Sequence, residues 1–131
     1  MEVSKEQVTL EKLFSKKMDN EKKNSKEFYS QELGGVIEIK KIPIRKIIGL
    51  LNECQTDDIQ IGFELNQHII YMCCPIFQNK QLQEQYEVVE PFEIVGKIFN
   101  ENIGEIAKLS GAILEFYGLS GEELSQAVKK Q

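Results

Sequence analysis

The fold class this chain predicts is mainly α: a small helical domain of about six helices with one N-terminal β-hairpin. Three observations carry that expectation. Apolar residues from Ile61 to Cys73 recur at the spacing of one helical face, and the end of that run is apolar almost all round. Beyond Cys74, prolines and capping residues divide the chain into several similar stretches. A single Gly-Gly pair separates two runs rich in β-forming residues. With 131 residues, 41% apolar and 28% charged, the chain is long enough for one domain whose core needs no disulfides.

The first elements are the least regular. Ser4-Lys5-Glu6-Gln7 has the form of a capping box, and Val3, Leu10, Leu13 and Phe14 predict a short amphipathic helix. Ser15 to Glu27 then holds one apolar residue, Met18, too little to offset the entropy of ordering the segment. Residues 1–27 are therefore expected to form a mobile charged arm with a short helix. Residues 28–131 are expected to form a single helical domain opening with the hairpin. The arm is either a solvated leader or a device that docks on a neighbouring subunit.

Phe28 to Leu33 and Val36 to Ile42 flank Gly34-Gly35, which reads as a two-residue hairpin turn. Pro43 suits the first turn of a helix whose expected buried stripe is Ile44, Ile47, Ile48 and Leu51. Lys40, Lys41, Arg45 and Lys46 form a basic cluster, expected as a solvated face. The central helix comes next, capped by Thr56 or Asp57 and carrying Ile61, Leu65, Ile69, Met72 and Cys73 on one face. Pro75 lacks an amide hydrogen, so this helix should stop near Cys74.

Asn79 can cap a short helix bearing Leu82 and Tyr86. Pro91 opens another with Phe92, Val95, Ile98 and Phe99 on one side. After an interruption at Asn100 to Gly104, Ile103, Ile106, Ala107, Ser110, Ile113 and Tyr117 continue at helical spacing, with Gly118 as the left-handed stop. Ser120-Gly121-Glu122-Glu123 is a capping box for a last helix through Leu124, Ala127 and Val128.

No catalytic, cofactor or metal site emerges. Cys54, Cys73, Cys74 and His68 lack the spacing of zinc ligands, and the thiols are expected to be packed in the core. No base accompanies a cysteine nucleophile, no carboxylate pair stands out, and Gly34-Gly35 is not a phosphate loop. Three cysteines, two of them adjacent, suit a reducing cytoplasm. No secretory leader and no apolar run of about 18 residues is seen, so no membrane partner is expected. The net charge of −5 argues against nucleic acid. A DNA-binding regulator is the rival reading, because Leu119 to Val128 resembles the first helix of a helix-turn-helix. Against it, the chain ends at Gln131, and residues 101–131 carry five acids against three lysines. Residue chemistry alone gives a generic protein-interaction domain.

The run Ile37 to Leu51 resembles the strand-then-helix opening of phage tail assembly chaperones, most closely the XkdN-like group of Gram-positive prophages and phage-tail-like particles. The likeness continues through Ile70 to Ile76, Leu82 to Tyr86, Pro91 to Val95 and Ile106 to Gly111. It covers roughly residues 28 to 118. The resemblance implies a protein that is not an enzyme and works in virion morphogenesis. Such a protein would bind the tape measure protein and keep it soluble until the tail tube polymerises around it. Partners implied are the tape measure protein and the tail tube protein; self-association of the chain is a separate expectation, from the arm. The expected place is the cytoplasm of the bacterial host, with the protein absent from the mature particle. The family is also often made in two lengths by frameshifting, for which Lys129-Lys130 could mark a slippery codon run. Leu114, Phe116, Leu119 and Leu124 are the candidate partner-binding residues, with ordinary core packing as the alternative for each.

Overall fold

A computed structural model describes residues 7–53 and 58–119. Thr9 opens the first helix, α1 (Leu10–Lys23), its side chain accepting from the Lys12 amide at 3.3 Å. The helix runs well past Phe14, through the lysine-rich stretch expected to be irregular. Lysine, glutamate and methionine are good helix formers, so their composition removes burial without removing helix propensity. No residue of α1 is buried. The box beginning at Ser4 falls largely outside the described residues.

Only Asn24 separates α1 from strand β1 (Ser25–Ser30), which pairs antiparallel with β2 (Gly35–Lys40). The strand thus begins ahead of Phe28, inside the stretch expected as the arm. Polar residues fit there because the Ser25 end of the ladder is exposed. The turn also differs from the expected two-residue one. Ser30 pairs with Gly35, so the loop is Gln31 to Gly34. Gly34 has φ +70°, its amide donates to the Ser30 carbonyl at 2.9 Å, and the Leu33 amide donates to Ser30 Oγ at 3.1 Å. Buried Ser30 thus closes the loop from within, which pattern alone does not reveal.

Helix α2 (Ile44–Glu53) succeeds Pro43 and buries Ile47 and Leu51. Ile44 and Ile48, expected in the same stripe, are exposed. The buried arc is centred on Ile47 with Leu50 and Leu51 on either side, which leaves Ile44 and Ile48 at its edge. The basic cluster Lys40, Lys41, Arg45 and Lys46 is exposed, as expected.

Helix α3 (Ile59–Cys73) is the centre of the fold. Asp58 caps it, accepting from the amides of Gln60 and Ile61 at 2.9 and 3.4 Å; the expected caps Thr56 and Asp57 lie outside the described residues. It ends where Pro75 requires, with the Cys74 amide donating to Ile70 at 2.8 Å. Pro75 then starts a 3₁₀ turn (Pro75–Gln78) that buries Phe77. Ile69, Ile70, Cys73 and Cys74 are fully buried, while Tyr71 and Met72 are half-buried.

Asn79 Oδ1 accepts from the Leu82 amide at 3.0 Å and caps α4 (Lys80–Gln85). A second 3₁₀ turn (Pro91–Glu93) leads into α5 (Ile94–Ile98), and Asn102 caps the long α6 (Ile103–Phe116). The most extensive helix–helix packing is α3 on α6, with α2 and α5 also against α3 and the hairpin against α6 and the Pro75 turn.

Helices α4, α5 and α6 end in one way. A left-handed residue, Glu87, Asn100 or Gly118, lets the next amide reach back five residues: Val88 to Gln83, Glu101 to Gly96, Leu119 to Leu114. Gly118 is the stop the sequence predicts. The other two ends use residues that carry a Cβ, which is why they are invisible as glycine signals. The final helix expected from Ser120 lies outside the described residues, and among the described residues no helix is long and apolar enough to cross a membrane.

Candidate functional site

Of the candidate residues, Leu114 and Phe116 fall on two faces of α6 and Leu119 lies just beyond its end. Leu114 and Leu119 meet at its C-terminal end, where the Leu119 amide donates to the Leu114 carbonyl at 2.9 Å. Together with Asn66, Ala107, Ser110, Gly111 and Glu115 they line a groove of ≈ 250 Å³ between α3 and α6. Leu114 is only 7% exposed and Leu119 half-buried, so the wall presents the edges of two leucines and not whole side chains. The floor is made of small residues. Ala107 and Gly111 are exposed and one turn apart, and beyond its own turn of helix backbone no atom stands within 4 Å of a Cβ placed at Gly111. Ser110 Oγ donates to Asn66 Oδ1 at 2.8 Å, which joins α3 to α6 and consumes the polar group beneath the groove. What remains is a shallow, mostly apolar channel along which a helix backbone can approach closely.

Phe116 is not part of that channel. Two residues along a helix turn the side chain by about 200°, so it faces away from Leu114. Its ring lies under Lys41 Nζ at 4.8 Å from the centroid, with Lys26 Nζ at 6.0 Å. Leu124 lies outside the described residues. Sequence reasoning missed Ala107, Gly111 and Asn66; the small-x-x-x-small spacing of Ala107 and Gly111 is the signal that could have found the first two.

Beside Phe116, Tyr117 closes the core. Its hydroxyl donates to the Ile42 carbonyl at 2.7 Å and accepts from the Ile42 amide at 2.6 Å, tying the end of α6 to the link between β2 and α2. Cys73 approaches the same hydroxyl from α3. Burial pushes the Cys73 thiol up to about 11 and, with Cys73 nearby, the Cys74 thiol up to about 12. Burial also pushes Tyr117 up to about 12. The thiols are therefore protonated at neutral pH and poor nucleophiles. In the unfolded chain these groups ionise at their ordinary values, 9.0 for the thiols and 10.0 for the phenol. The stability tied to their protonation is therefore complete below pH 9.0 and is lost as pH rises through 11 to 12. Melting temperature should be flat from neutrality to about pH 9 and fall above it. A flat profile past pH 11 would place the three groups in water.

A second concavity, ≈ 310 Å³, lies between α3 and α5. Phe63 and Phe92 are the large apolar side chains of its lining, which also holds Glu64, Glu93, Glu101 and Lys97. His68 stacks on Phe92 with centroids 3.9 Å apart, a structural use of the chain's one histidine. At the base, buried Gln67 Oε1 accepts from the Gly96 amide at 2.9 Å. Among the described residues no cluster of histidine, cysteine and carboxylates could hold a metal ion.

A family model described as "Phage XkdN-like tail assembly chaperone protein, TAC" matches residues 10–130. No curated protein and no solved structure matches the chain.

Proposed function

We propose, from the premise that this chain belongs to the phage XkdN-like tail assembly chaperone family, that it binds the tape measure protein and keeps it soluble until the tail tube polymerises. The family is one of chaperones, and in this reading no catalytic step, nucleotide or metal takes part. The work is done in the host cytoplasm and the chaperone leaves before the particle matures, displaced as tail tube subunits take its place.

The observation that carries the reading is the α3–α6 groove. A tape measure chain with long apolar helical stripes needs a temporary partner for them. Exposed Ala107 and Gly111, walled by Leu114 and Leu119, offer such a stripe a smooth apolar seat without a deep pocket to trap it. A seat of ≈ 250 Å³ favours weak individual contacts, and repeated sites along one partner then hold by avidity while each subunit stays displaceable.

Co-expression with a tape measure fragment, followed by pull-down and light scattering, tests this. The expected result is a soluble complex that persists at about 1 M salt, where exposed charges reach only about 3 Å. Affinity per site should be about micromolar and rise with the number of sites on the fragment. Gly111→Leu fills the groove from an exposed position and should weaken binding about tenfold or more while leaving the fold intact. A fragment that aggregates equally with and without the protein, and does not co-purify, would sink the proposal.

A further inference from the structure

Helix α1 has no place in the core of the domain. Leu10, Leu13, Phe14 and Met18 share one helical face and are 70, 56, 74 and 65% exposed. None belongs to the core or to the half-buried layer around it. A helix of 14 residues is marginal alone in water, and an uncovered apolar face adds to the drive for a partner. The helix is also basic, with five lysines (Lys12, Lys16, Lys17, Lys22, Lys23) against Glu11, Asp19 and Glu21. Its joint to the domain is the single residue Asn24, whose carbonyl accepts from the Lys41 amide at 2.9 Å. So short a joint, hydrogen-bonded in place, ties the helix to the direction of the hairpin and gives it no slack to fold back.

The α3–α5 cleft has the complementary chemistry. Phe63 and Phe92 supply apolar surface, and its lining carries three carboxylates, Glu64, Glu93 and Glu101, against one cation, Lys97. We infer that α1 of one copy docks in the α3–α5 cleft of a second copy. Phe14 and Met18 pack on the aromatic surface, and Lys17 and Lys22, three residues from Phe14 and four from Met18 and so on the same side of the helix, meet the carboxylates of the cleft. Each copy offers one donor helix and one acceptor cleft, so the contact is heterologous and either closes as an exchanged pair or runs on as a chain. This surface is separate from the groove at Leu114 and Gly111, so either contact can be lost alone.

Sedimentation equilibrium of the full chain at low salt, from about 1 μM to about 100 μM, tests the inference. Average mass should rise above 15.1 kDa with concentration and fall back as salt is added. Phe14→Glu with Met18→Glu should return the mass to one chain without changing the melting temperature, since neither side chain touches the core. Glu64→Lys with Glu93→Lys should do the same from the acceptor side. Mixing that second variant with Lys17→Glu, Lys22→Glu should restore a complex. A single-chain mass at the highest concentration overturns the inference. So does association that survives reversal of the cleft charges, because α1 would then sit elsewhere. Capture of α1 by anionic vesicles, or by the tape measure fragment, from a chain that stays monomeric would assign the helix to that partner instead.

Discussion

Replacing Cys73 by Asp should cost about 3–5 kcal/mol and leave the domain largely unfolded at physiological temperature. Cys73 is fully buried in the last turn of α3, among the side chains of the core cluster and beside the Tyr117 hydroxyl. The same burial that holds its thiol protonated would act more strongly on a carboxylate. A donor at hand is that hydroxyl, and turning it toward the new carboxylate would break its bond to the Ile42 carbonyl. The defect has a signature in pH. An Asp at this position has a raised folded pKa, so the charged form is penalised only above its unfolded value of about 3.9. The gap in melting temperature between variant and parent should therefore narrow as pH falls towards about 4. Cys73→Val, similar in volume and uncharged, should stay within about 1.5 kcal/mol of the parent and separates charge from shape. A Cys73→Asp protein that melts like the parent at neutral pH would mean that α3 is not the core helix.

Local signals in the sequence are enough for much of this fold. Asn79 as a cap, Pro75 as a stop and Gly118 as a left-handed end each act through a few neighbouring bonds, so residue type alone announces them. Ser15 to Lys23 departs from expectation because low hydrophobicity speaks about burial, while α1 is held by backbone bonds and propensity and buries nothing. Ile44 and Ile48 satisfy the periodicity of α2 yet lie outside its buried arc, since periodicity gives the stripe but not its rotation against neighbours. The candidate site is half legible. That Leu114 and Phe116 point apart is a consequence of helical angle. That Leu119 returns to Leu114 depends on the turn at Gly118, and that Asn66 completes the groove depends on the packing of α3 against α6. Gln67 is the least legible residue. A glutamine on a core helix reads as a surface position until its partner is known.

That partner gives the second large effect. Gly96→Ala should destabilise the domain by about 2 kcal/mol, although alanine is the better helix former by about 1 kcal/mol. A Cβ at position 96 would stand 2.6 Å from Gln67 Oε1, 3.4 Å from its Cδ and 3.5 Å from Phe63 Cζ. The amide oxygen is the far end of a flexible side chain, but it is not free to move without loss. It is buried, and it is the acceptor for the Gly96 amide at 2.9 Å. Displacing it leaves a buried donor and a buried acceptor unmatched, at about 1–3 kcal/mol, and overpacking against Phe63 adds to that. The gain in helix propensity is the smaller quantity, so the sign is destabilising. A double-mutant cycle isolates the contact. Gln67→Ala alone should also destabilise, by opening a cavity and orphaning the same amide. In its background Gly96→Ala should cost much less than in the parent, because the clashing atom is gone. Additive losses, or a Gly96→Ala protein as stable as the parent, would show that α3 and α5 do not meet through this hydrogen bond.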